Sequence, residues 1–130
     1  MKFAYTILYV PNVQESLSFY QRAFGFEIKF VSPQGDYGEL ISGETTLSFA
    51  SNELGEANFK QGFQKADGQA KPWGIELAFS SEQVEDDFQK ALDAGAILYE
   101  EIKQKPWGQK VGYLRDLNGF LIELCSPMAI

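Results

Sequence analysis

The chain has 130 residues, 45% hydrophobic, 15% aromatic and 22% charged, which fits one globular domain or two small modules sharing a core and excludes a large multidomain machine or a disordered chain. Eighteen acidic residues against eleven basic ones give a net charge of −7, a field that repels phosphate backbones, argues against nucleic acid as a partner and favours cationic or neutral small ligands. A single cysteine and no histidine exclude an intramolecular disulfide, cysteine-rich zinc modules and every histidine-activated nucleophile, and leave carboxylates, amides, hydroxyls or water to hold any metal.

Residues 3–10 are β-branched and aromatic and are stopped by Pro11, which predicts a first strand. They lack an A-x-A-like cleavage site, and no stretch reaches the roughly 18 apolar residues of a membrane span. The expectation is a cytoplasmic protein without a membrane partner. Asn12 offers an N-cap with Glu15 as its capping-box partner, and Val13, Leu17, Tyr20 and Phe24 recur at helical spacing up to Gly25. Strands are predicted over 26–31, 37–41 and 45–51, with turn chemistry at Pro33-Gln34-Gly35-Asp36 and around Ser42-Gly43.

Residues 52–71 are polar and glycine-bearing, with Leu54, Phe59 and Phe63 scattered through them, and read as a linker holding a short helical turn. The pattern then repeats. A strand over 74–80 leads to Ser81 as a plausible N-cap, followed by the apolar stripe Val84, Phe88, Ala91 and Leu92, closed by Gly95. Strands follow over 96–102, 110–115 and 120–125, the last two joined by Asp116-Leu117-Asn118-Gly119, whose Asn-Gly pair favours a tight hairpin turn. The two halves align at an offset of 71, placing Val13, Leu17 and Tyr20 on Val84, Phe88 and Ala91. Neither half is large enough to bury both faces of a sheet alone. The expected fold is α+β, one domain over 1–130 made of two βαβββ modules (1–51 and 72–130, linker 52–71) whose sheets pair around a shared concave pocket.

The opening T-I-L-Y-V-P-N-V-Q-E-S-L-S-F-Y-Q-R-A-F-G-F (6–26) and the closing W-G-Q-K-V-G-Y-L-R-D-L-N-G-F-L-I-E-L-C-S-P (107–127) resemble the first and last elements of the vicinal oxygen chelate superfamily, with Leu117 where its last hairpin usually has Pro. That superfamily includes glyoxalase I, bleomycin-resistance proteins, fosfomycin-resistance transferases and extradiol dioxygenases, and shares a scaffold more than a reaction. The resemblance carries its four metal-ligand positions onto Tyr5, Leu47, Glu76 and Glu123. Only Glu123 is the usual residue. Leu47 cannot coordinate a cation, and a phenol with an ordinary pKa of about 10 is a poor ligand. No cofactor is expected beyond a weakly held divalent cation on Glu76 and Glu123.

Strand alternation puts Tyr5 in a row with Ile7, Leu47 with Phe49, Glu76 with Ala78, and Glu123 with Leu121 and Cys125. If those rows line the pocket, Tyr5, Ile7, Leu47, Phe49, Glu76, Trp107, Tyr113 and Glu123 form its ligand wall. Two neighbouring carboxyls cannot both ionise cheaply, so Glu76 and Glu123 support three readings: acid–base catalysis, recognition of a cationic or hydrogen-bond-donating ligand, or pairing that serves the fold. A binding protein of the bleomycin-resistance type is favoured. The alternative is a glyoxalase-like lyase or isomerase, or a dioxygenase relative, with Glu76 and Glu123 as its catalytic residues and a divalent cation. The resemblance also implies a homodimer. Cys125 has no histidine to activate it and reads as an inert thiol.

Overall fold

The Asn12 carboxamide accepts the Glu15 N–H at 2.9 Å and starts the helix α1, Val13–Phe24. Gly25, at φ 74°, closes it in the left-handed conformation that an L side chain resists. In this computed structural model, which describes residues 1–128, α1 belongs to the first of two units, Met1–Ala66, and the second begins at Asp67. The first unit also holds β1 (Thr6–Val10), β2 (Glu27–Val31), β3 (Tyr37–Ser42), β4 (Thr45–Ser51) and a seven-residue helix α2 (Asn52–Asn58). Among the described residues its sheet runs β1-β4-β3-β2, with β1 parallel to β4 and the other pairs antiparallel. One face lies under α1. Tyr20 packs on Phe49 with ring centroids 4.9 Å apart, and a side chain at Gly38 would meet Leu17 at 2.6 Å. Beyond α2, Phe59 and Phe63 fold back onto Tyr9, on the opposite face, at 5.5 and 5.3 Å.

The second unit repeats the order. It contains β5 (Glu76–Ser80), α3 (Val84–Asp93), β6 (Ile97–Gln104), β7 (Lys110–Arg115) and β8 (Leu121–Cys125). Its sheet runs β5-β8-β7-β6, again with a parallel first pair. Each unit is therefore a βαβββ module, and the α+β expectation holds. Phe88 and Ala91 of α3 are buried, and Leu114, Ile122 and Leu124 complete this core. The space for α3 comes from Gly112, where a Cβ would stand 2.5 Å from the Phe88 ring and 2.7 Å from Ile102. Gly112→Ala is expected to destabilise the protein by about 1–3 kcal/mol through overpacking, read as a drop in the denaturant midpoint.

Several local expectations differ from the structure, among them the start of β5 at Glu76 instead of residue 74. Residues 3–5 precede β1 instead of forming part of it. The N-cap of α3 is Gln83, not Ser81, because the Ser81 hydroxyl is taken by Asp87 and by the Gln83 N–H. The β7–β8 connection is not a two-residue turn. Asp116 is buried and its Oδ1 accepts the N–H groups of Asn118 and Phe120, both at 2.9 Å, which holds a wider loop. Arg115 braces that loop, donating to the carbonyls of Gly119, Gly68 and Asp67.

Candidate functional site

In the second sheet, parallel pairing sets Glu76 beside Leu121 and Ala78 beside Glu123, while antiparallel pairing sets Tyr113 beside Glu123 and Val111 beside Cys125. Paired residues share a face. Glu76, Glu123, Tyr113 and Cys125 therefore stand together on the face turned away from α3, whose own contacts are with the Gly112 and Leu114 face. The two carboxyls lie close enough on this face to influence each other's ionisation, which disfavours the doubly charged state. Burial of the Glu76 carboxyl first, then the neighbouring Glu123 carboxyl and its like charge, raise the Glu76 pKa above its ordinary 4.5. Glu76 is exposed as a residue, so solvent screens part of this effect. The contact with Glu123 keeps its direction.

The neighbours of the pair stay neutral. Burial comes first in raising the Tyr113 phenol, followed by the charges of Glu123 and Glu76. The Cys125 thiol is raised first by burial and then by its hydrogen bond with Glu123. A thiol pushed in that direction is a poor nucleophile. No lysine or arginine contributes to the Glu76 shift. Arg115 is on the same rung as Leu121, but its guanidinium is held by three backbone carbonyls. The result is an acidic, partly desolvated pair with Glu76 pushed up, two neutral neighbours and, among the described residues, no ion pair to a lysine or arginine.

Tyr5 and Ile7 lie in the first unit. Ile7 pairs with Ser48, and Tyr5, which precedes β1, is exposed. Leu47 and Phe49 are not in that row. Both are buried, and Phe49 packs against Tyr20 of α1, so the expectation that they line a ligand wall is corrected. The repeat shows why. Ala78 pairs with Glu123, its counterpart Ile7 pairs with Ser48, and Ser48 is therefore the residue of β4 that corresponds to Glu123. Placing the site on Leu47 is a slip of one residue, and on a strand one residue reverses the face. Trp107 lies in the β6–β7 turn, exposed, with its indole N–H on Gln109 Oε1 at 2.9 Å. That turn is past the Val111–Cys125 rung, at the opposite end of the sheet from Glu76.

One polar group was not legible as a site. The Tyr37 hydroxyl lies 2.7 Å from Glu39 Oε2 and 3.0 Å from the fully buried Ser48 Oγ. The period-two row Tyr37, Glu39, Ile41 on β3 was its only sequence signal.

Imidazole is absent from the chain, and among the described residues no group of three Asp, Glu or Cys side chains could hold an ion together. Hard cations such as Mg²⁺ and Ca²⁺ take six or more oxygens, of which Glu76 and Glu123 supply at most four.

The sequence profile of the glyoxalase-like domain matches residues 3–129. Among solved structures, a hypothetical protein from S. aureus aligns with a TM-score of 0.80 at 21% identity, covering 98% of this chain and 95% of its own. A glyoxalase-related enzyme from Fulvimarina pelagi aligns with a TM-score of 0.80 at 18% identity, covering 98% and 88%. A glyoxalase/bleomycin resistance protein/dioxygenase family enzyme from Burkholderia phytofirmans PsJN aligns with a TM-score of 0.77 at 18% identity, covering 95% and 96%. At these identities the likeness is one of fold. No curated protein matches the chain.

Proposed function

The chain belongs to the glyoxalase-like domain family of the vicinal oxygen chelate superfamily, and from that premise we propose that it is a small-molecule-binding protein whose Glu76–Glu123 pair takes an aromatic cation. The observation that carries this reading is the strand register that sets the Glu76 and Glu123 carboxyls together on one sheet face, with the Glu76 carboxyl pushed up and no lysine or arginine among the causes. A cation bearing N–H donors replaces the Glu76 proton, satisfies both carboxylates and gains charge-assisted hydrogen bonds. Tyr113 supplies a flat neutral edge and a hydroxyl next to Glu123. Neither Cys125 nor Tyr113 is activated for attack, which favours binding over covalent chemistry.

Benzamidine, a planar cation with paired donors, is the probe. Titration calorimetry in two buffers of different ionisation enthalpy is expected to show proton release on binding, and affinity that rises as pH rises through the elevated Glu76 pKa. The same binding is expected after dialysis against a chelator, since no step depends on a metal. Binding without proton release, or lost with the chelator, contradicts the proposal.

The carboxyl pair also favours a second reading, acid–base catalysis, with Glu76 as the acid and Glu123 as the base. It requires a bell-shaped pH profile of turnover that disappears in Glu76→Gln.

A further inference from the structure

The polar cluster of the first unit is built across three neighbouring strands. In that sheet, Phe30 of β2 pairs directly with Glu39 of β3, and Glu39 pairs with Ser48 of β4. The register shift between Ile28 and Phe30 turns Phe30 onto this row. Tyr37, two residues before Glu39 on the same strand, brings its ring to 6.5 Å from that of Phe30. Glu39 thus stands beside two aromatic residues on the face opposite α1.

The hydrogen bonds fix the charge. A phenol has one proton, and the charged acceptor takes it, so Tyr37 donates to Glu39 and the buried Ser48 hydroxyl donates to the Tyr37 oxygen. The direction of each effect on Tyr37 agrees: burial raises its pKa most, Ser48 lowers it, and Glu39 raises it. The relay delivers one hydrogen bond to a half-buried carboxylate. No lysine or arginine pairs with Glu39 among the described residues, and Phe30 is about half exposed. A carboxylate without a basic partner and bordered by aromatic rings matches a cation that offers positive charge and apolar surface together.

We infer that Phe30, Tyr37 and Glu39 form a second ligand site, specific for an alkylated ammonium group, with Ser48 holding the Tyr37 hydroxyl in place. Alkylation is favoured because two rings and one carboxylate, with few further acceptors, suit a cation whose charge is spread over methyl groups. These residues belong to the first unit, and the Glu76–Glu123 pair belongs to the second.

The test is a residue-resolved NMR titration of the full chain with choline, with 3,3-dimethylbutan-1-ol as the neutral isostere. Choline is expected to shift the amides of Phe30, Tyr37 and Glu39 saturably, and the isostere at least tenfold more weakly. Glu39→Gln, which keeps shape and loses charge, is expected to weaken choline tenfold or more with the remaining spectrum intact. Phe30→Leu, which keeps an apolar side chain and loses the ring face, is expected to weaken it severalfold. An equal response to the isostere, unchanged binding by Glu39→Gln, shifts confined to residues 76–125, or no shift at 100 mM choline overturns the inference.

Discussion

Glu76→Gln is expected to cost the protein tenfold or more in benzamidine affinity at pH 8, about 1.4 kcal/mol, and to remove the pH dependence of binding. The same substitution is expected to raise the melting temperature of the ligand-free protein at pH 8. Both effects come from one proton. The folded chain holds the Glu76 proton more tightly than the unfolded chain does, because its pKa is raised above 4.5 by burial and by Glu123. The unfolded state therefore loses its proton first as pH rises, and the wild type loses stability from about pH 4.5 up through the elevated folded pKa. Glutamine does not titrate, so the variant escapes this loss. At pH 4, where Glu76 is protonated in both states, the two melting temperatures are expected to converge. Opposite outcomes separate the readings. A carboxyl that serves the fold lowers the melting temperature when it is replaced and leaves benzamidine affinity alone. A carboxyl kept for a ligand does the reverse.

The signals that were legible in the sequence are local ones. Asn12 with Glu15, and Gly25 after Phe24, define α1 within a single turn at each end, and the structure has both caps. The proximity of Glu76 and Glu123 was also legible, because β5 and β8 alternate exposed or half-exposed with more buried positions, and period two then reports the face. β4 offers no such report. Leu47, Ser48, Phe49, Ala50 and Ser51 are all buried, so its two faces look alike in sequence and only the pairing with β1 tells them apart. The α3 cap failed for a different reason. Ser81 is a good capping residue by type, but Asp87 competes for its hydroxyl. The Phe30, Tyr37 and Glu39 group depends on a bulge in β2, and a one-residue shift between strands leaves no mark in either strand's own composition.

Phe49→Ala tests the corrected position directly and is expected to have the largest stability effect of any substitution considered. Phe49 is fully buried, pairs with Leu8 on one side and Gly38 on the other, and packs its ring edge-on to Tyr20 at 4.9 Å. Tyr20 in turn touches Phe24 at 5.1 Å and Phe19 at 5.8 Å. Removing the ring loses its transfer free energy, leaves a cavity that α1 cannot collapse into because Leu17 already meets Gly38, and breaks the aromatic pair. The expected loss is about 3–5 kcal/mol. For a chain of this length that lowers the melting temperature by roughly 12–20 °C, at about 4 °C per kcal/mol. Phe49→Leu retains most of the buried volume and is expected to lose less than half as much. If Phe49 were instead a ligand wall, its face would be open, Phe49→Ala would leave the melting temperature within a few degrees of wild type, and the change would appear in benzamidine affinity. Ser48→Ala, one residue away on the opposite face, is the matched control. It removes a donor to Tyr37 and no ring, so its expected cost is about 1 kcal/mol, and the gap between the two variants measures which face of β4 the core owns.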